Sequence, residues 1–177
     1  AYTRMLIEHG SEIVRRREIL CQDLTPRAAE NHAGVSGKAE ELEIDYLDRS
    51  KGDLEGAFQE VEEREMRRGV TLAGPHRDDL TLRIMGRSAR DYGSEGQQRT
   101  LALALKLAQG EVLRDRGKRK PVYLIDDVFG ELDPGRRNAL MERLPTDSQK
   151  LITTTNLDWW ESSESLPVLK VVDGKLE

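Results

Sequence analysis

The residues best able to do chemistry fall in two short stretches. Tyr92-Gly-Ser-Glu-Gly-Gln-Gln-Arg-Thr-Leu-Ala-Leu-Ala-Leu-Lys-Leu107 sets Ser94 between Gly93 and Gly96 and runs straight into an apolar helical pattern. A helix that starts there points free backbone N–H groups and its positive dipole end at whatever lies in front of Ser94, which makes an anion site. The same serine can simply cap the helix, with Gln97 three residues on completing a capping box. The turn by itself leaves cap and phosphate contact open. Pro121-Val-Tyr-Leu-Ile-Asp-Asp-Val-Phe-Gly-Glu-Leu-Asp133 is an apolar run that ends in adjacent carboxylates. Asp126 and Asp127 would stand at the carboxyl end of a parallel strand, where such sheets bind ligands, and two idle carboxylates there would be costly. One can hold Mg²⁺ through its waters while the next orients a water for attack on a phosphoryl group.

The elements that must position these groups follow from periodicity. From Gln97 onward, Leu101, Leu105, Ala108 and Val112 step along one helical face, with Leu103 and Leu107 widening it. Val122 to Ile125 predicts a strand covered on both faces, and residues 150 to 155 predict another, ending in Thr153, Thr154 and Thr155. Asp133 before Pro134 predicts an N-cap for a helix carrying Leu140, Met141 and Leu144.

Upstream, the spacing predicts a helix over residues 1 to 22 and a second starting at Thr25-Pro26 and fading at Gly34 to Gly37. A strand is expected over 43 to 47, a helix over 53 to 68 ended by Gly69, strands over 70 to 73 and 80 to 84, and a last strand over 168 to 172. Gly74-Pro-His-Arg-Asp-Asp-Leu80 reads as a hairpin connection or as a site carrying His76 and Arg77. Gly34-Val-Ser-Gly-Lys38 is not a phosphate-binding loop: such a loop needs glycine five residues before its glycine-lysine pair and Ser/Thr after the lysine, and His32 and Ala39 occupy those places.

Composition narrows the function classes. The 177 residues are 34% charged with a net charge of −5, and no run approaches the roughly 18 apolar residues of a membrane span. A cytoplasmic chain with no membrane partner is expected. Lone Cys21 excludes an intrachain disulfide and a cysteine-type zinc site. The charge argues against a uniformly basic nucleic-acid binder, yet Arg114, Arg116, Lys118, Arg119 and Lys120 cluster locally. Trp159-Trp160 could stack on a base or pack on the sheet edge. The chain begins in helical pattern without a methionine, which suggests a fragment.

The 74–80, 92–108 and 124–133 motifs, in that order, resemble the RecF family of bacterial recombination-repair proteins, which is related to the ABC and SMC-type ATPases. Transporter ATPases usually carry Leu-Ser-Gly-Gly-Gln and an Asp-Glu pair where this chain has Gly93-Ser-Glu-Gly-Gln97 and Asp126-Asp127. The resemblance implies that Ser94, Glu95, Gly96 and Gln97 form a signature motif contacting ATP held by an opposite protomer. It implies that Asp126 is the Walker B magnesium residue, Asp127 the water-orienting position, and Glu131 and Asp133 part of a D-loop at the dimer interface. Thr154 or Thr155 stands where transporters place a switch histidine, and His76 and Arg77 belong to a family motif of unsettled role.

The expected fold is α/β: part of an ABC/SMC-like ATPase head with a mainly parallel sheet (residues 70–177), plus part of a helical arm (residues 1–69) whose first 35 residues project from it. With no P-loop in the chain, this portion reads as the C-terminal half of such a protein, inactive toward ATP alone. The implied cofactors are ATP and Mg²⁺. The implied partners are single- and double-stranded DNA at gaps or junctions, a second copy in an ATP-dependent homodimer, and RecO, RecR and RecA. The competing readings are a non-catalytic DNA-binding or scaffolding module and a transporter-type ATP-binding subunit.

Overall fold

The computed structural model describes residues 2–37, 40–117, 120–157 and 167–176. Helix α1 spans Tyr2–Ser36 without a break at Pro26, so the two expected helices are one and Thr25 is not a cap. Proline removes a backbone donor and disfavours a helix interior. Burial outweighs that penalty here, because Cys21, Ala28 and Val35 on either side of Pro26 are all buried, and the Thr25 hydroxyl donates to the Cys21 carbonyl at 2.8 Å.

Strands β1 (Leu42–Leu47), β2 (Asp79–Ile84) and β3 (Arg87–Ser88) form an antiparallel sheet in that order, with Ile44 opposite Leu82. Between the first two lies α2 (Leu54–Arg68), capped by Asp53 accepting from the Gly56 N–H and ended by Gly69 at a left-handed φ of 64°. The expected strand over 70–73 does not form. Its donors are taken by a side chain instead: the Glu65 carboxylate accepts from the N–H groups of Leu72 and Ala73. A 3₁₀ turn at Pro75–Arg77 follows.

After α3 (Ala89–Tyr92) comes α4 (Glu95–Arg116), then β4 (Tyr123–Asp126), a 3₁₀ turn at Val128–Glu131, α5 (Pro134–Arg143) and β5 (Lys150–Thr153). Strands β4 and β5 pair in parallel, as the sequence suggests, with Asp126 opposite Thr153. Of the strand expected over 168–172 only β6 (Val171–Val172) forms, and it pairs in a hairpin with β7 (Lys175–Leu176) beyond it.

Helix α4 separates two apolar cores. Leu101 and Ala108 pack with Cys21, Ala28 and Ile44 on the antiparallel-sheet side, while Leu107 packs with Val35, Phe129, Leu132 and Leu140 on the parallel side. The second half of α1 therefore lies along α4 rather than projecting. Tyr123 approaches α4 so closely that a Cβ on Gly110 would sit 2.2 Å from its hydroxyl oxygen. Among the described residues, one face of the parallel pair is left uncovered: Val122, Leu124 and Leu151 are exposed, Leu124 by 74%. The expected cover on both faces is not met among the described residues, where α4 and α5 pack on the Tyr123 and Ile125 side. No helix among the described residues is long and apolar enough to cross a membrane.

Candidate functional site

Ser94 is the N-cap of α4, and the cap is reciprocal. Its hydroxyl accepts from the Gln97 N–H at 3.3 Å and its own N–H donates to Gln97 Oε1 at 3.0 Å. The amide nitrogen of Gln97 then donates to Glu40 Oε1 at 3.1 Å. Gln98 holds the preceding loop by donating to the carbonyls of Ala89 and Gly93, each at 3.1 Å. The turn is thus clamped before any ligand arrives, with exposed Ser94 and Glu95 at its front.

Two arginines tie this turn to the segment after β4. Arg99 lies 2.7 Å from Glu95 Oε1 and 3.3 Å from Glu131 Oε2. Arg136 donates from Nη1 to the Gly96 carbonyl at 3.1 Å, while its Nε lies 3.3 Å from Asp133 Oδ2. Asp133 is the N-cap of α5 and accepts from the Arg136 N–H at 3.0 Å, so the expected cap is present. The four residues Ser94 to Gln97 and the pair Glu131 and Asp133 therefore share one network.

The carboxylate pair forms a second cluster. Asp126 ends β4, and its register partner Thr153 donates from the hydroxyl to Asp126 Oδ1 at 2.5 Å. Asp127 turns left-handed at φ 51°, and its N–H reaches the Thr153 carbonyl at 3.2 Å and hydroxyl oxygen at 3.1 Å. Asp126 Oδ2 is left without a hydrogen bond from the described residues. A hard oxygen beside a second carboxylate at a strand end suits Mg²⁺, which takes one or two carboxylates and fills its octahedron from water and phosphate oxygens. Among the described residues no group of three acidic, histidine or cysteine side chains forms a complete metal cage, so such an ion would depend on its ligand.

The remaining candidates make other contacts. Thr154 turns into its own loop, donating to the Asn156 carbonyl at 2.8 Å, and Thr155 follows it, exposed. His76 Nε2 lies 3.3 Å from the Thr71 carbonyl and Arg77 donates to the same oxygen at 3.1 Å. Their neighbour Asp78 accepts from the Tyr46 hydroxyl at 2.5 Å and the Arg49 N–H at 3.0 Å. Burial and the Asp78 carboxylate push the Tyr46 phenol up to about 12. The 74–80 stretch is thereby fastened to β1 and the loop after it. Of the basic cluster, Arg116 pairs with Asp23 and Lys120 with Asp147. Lys118, Arg119, Trp159 and Trp160 lie outside the described residues.

Arg99, Arg136 and Glu40 were not singled out from the sequence, and Thr153 was read there only as part of a strand end. Arg99 follows Glu95 by four residues, a helical pairing distance that could have flagged it. Thr153 becomes visible only once the β4–β5 register is known.

No family model matches the chain. Curated relatives do: the DNA replication and repair protein RecF of Trichormus variabilis is 40% identical over 97% of this chain and 49% of its own length. That of Bacillus cereus is 40% identical over 97% of this chain and 48% of its own. A solved structure of the recombination mediator protein RecF with ATP, in the RecFOR pathway, superposes with a TM-score of 0.81 at 29% identity, covering 99% of this chain and 48% of that one. A second RecF structure, at 30% identity, gives a TM-score of 0.79 over 96% of this chain and 47% of that one. The chain is thus similar to RecF over nearly all of its own residues and spans about half the length of the curated relatives it matches.

Proposed function

We propose that these residues are the C-terminal portion of a RecF-type ATPase head acting in DNA replication and repair. In this reading Ser94, Glu95, Gly96 and Gln97 contact the nucleotide held by a second protomer. Asp126 holds Mg²⁺ on the chain's own nucleotide, Asp127 orients the attacking water, and Glu131 with Asp133 meet the partner. The phosphate cradle comes from residues outside this chain, whose own loop at 34–38 lacks the required spacing. ATP-dependent dimerisation would clamp DNA at gaps or junctions, hydrolysis would release it, and RecO, RecR and RecA would act alongside.

The observation that carries this reading is the Thr153 hydroxyl, which donates to the Asp126 carboxylate and accepts from the Asp127 N–H. These bonds set one carboxylate at a strand end with an oxygen left over and turn the next out of the strand line. Adjacent residues on a continued strand would point to opposite faces. The exposed apolar face of Leu124 and Leu151 also suits a sheet that is continued or covered by more of the same head.

The test is Asp127→Asn in the intact protein. MgATP affinity should be retained while turnover falls by about a hundredfold or more, the usual span for losing a group that handles the nucleophile's proton. A variant that hydrolyses ATP like the parent would remove Asp127 from the site. DNA binding that ignores ATP in both proteins would favour the non-catalytic module.

A further inference from the structure

We infer that Arg136 is a positioning residue that couples the Asp133 turn to the Ser94–Gln97 turn, so that displacement of one moves the other. The inference rests on the reading that both turns face a nucleotide shared between protomers.

Three features single out this side chain. Asp133 grips Arg136 at both ends, one carboxylate oxygen taking its backbone N–H at 3.0 Å and the other lying 3.3 Å from Nε. The far end of the guanidinium donates to the Gly96 carbonyl, which also accepts from the Thr100 hydroxyl at 2.8 Å. Finally, the guanidinium fills the space where Gly96 lacks a side chain: a Cβ there would lie 2.8 Å from Nη1. A side chain at 96 would therefore have to push the Arg136 guanidinium aside. The planar fork lets one cation hold two acceptors at a fixed spacing, which lysine cannot reproduce.

The parallel link through Arg99 is looser. Its side chain is 42% exposed against 23% for Arg136, while the partner carboxylates Glu131 and Asp133 are equally exposed at 58%. Water competes with exposed ion pairs and lowers what they transmit. A partner surface that draws the Asp133 carboxylate away would release Nε, swing the guanidinium and shift the Gly96 carbonyl. The N–H groups at the start of α4 would move with it. Engagement of the D-loop would thus set whether the signature turn is in place to contact ATP.

The experiment compares the intact protein with its Arg136→Gln and Arg136→Lys variants by hydrogen–deuterium exchange, ATP affinity and turnover. In R136Q the amides of residues 95–98 should exchange about tenfold faster, within the range expected for coupling through a packed network, while the thermal midpoint and ATP affinity hold. Turnover should fall by a similar factor, and R136K should recover part of both effects. Unchanged exchange with unchanged turnover would overturn the inference, as would a parallel loss of melting temperature and ATP affinity, which is the mark of a merely structural arginine. If the parent itself neither dimerises nor turns over ATP, the ATPase reading fails. The exchange comparison then still decides whether Arg136 couples the two turns.

Discussion

The Thr153 hydroxyl donates to Asp126 Oδ1 at 2.5 Å and accepts from the N–H of Asp127 at 3.1 Å. One side chain on β5 thereby sets both carboxylate residues at the end of β4. Thr153→Val keeps the shape and removes the hydroxyl. Because the bonds are exposed, the stability loss should stay near about 1 kcal/mol. In the intact protein the Mg²⁺ concentration needed for half-maximal turnover should rise, and turnover should fall by about tenfold, as for a lost partner of a metal ligand. Unchanged magnesium dependence would assign Thr153 to strand pairing alone.

Ser94 poses the question of cap against phosphate contact, and the reciprocal hydrogen bonds with Gln97 show the cap. Aspartate caps helices about as well as serine, so Ser94→Asp should leave stability within about 0.5 kcal/mol by urea unfolding. It also places a negative charge where a phosphate would approach. ATP-dependent dimerisation of the intact protein should then be lost, as light scattering would show. A S94D protein that still dimerises with ATP would reduce Ser94 to its cap.

Gly34 lies in the stretch that superficially resembles a phosphate loop, yet its role is packing. A Cβ at Gly34 would fall 1.9 Å from the Arg143 guanidinium, which donates to the buried Asn31 Oδ1 at 3.1 Å. Alanine gains about 1 kcal/mol of helix propensity, but displacing Arg143 strands Asn31 at a cost of about 1–3 kcal/mol. Gly34→Ala should therefore destabilise on balance, with the guanidinium forced out. A stabilised variant would mean that Arg143 relocates without loss.

His32 is fully buried, and burial holds its imidazole below the ordinary value of about 6.5 despite the Glu40 carboxylate 3.9 Å away; the nearby Arg136 cation acts in the same direction as burial. The neutral ring is the folded form. Its contribution is present above the unfolded value and lost as pH falls through the folded one. The urea midpoint should drop as pH falls below the ordinary histidine value of about 6.5, and His32→Gln should flatten that slope. Equal slopes would place the acid sensitivity elsewhere.

Local signals carried the site further than the fold. The Ser94 cap, the Asp133 cap with Pro134 and the carboxylates that end β4 all follow from spacing and turn chemistry, because each depends on a few adjacent residues. The continuous α1 does not, since burial of Cys21 and Ala28 overrides Pro26. The missing strand at 70–73 turns on the reach of Glu65, seven and eight residues away. Arg136 and Thr153 were illegible for the same reason: their contacts with Gly96 and Asp126 span 40 and 27 residues.

The central claim is that the Ser94 turn and the Asp126 strand serve nucleotides shared between two copies, and mixing two disabled proteins tests it directly. In S94D the signature turn is blocked and the metal residue intact; in Asp126→Ala the reverse holds. A mixed dimer rebuilds one whole site from the metal half of one protein and the turn of the other. Each variant alone should be inactive, and the mixture should hydrolyse ATP well above their sum. A mixture no more active than its parts, with mixed dimers present by light scattering, would contradict it.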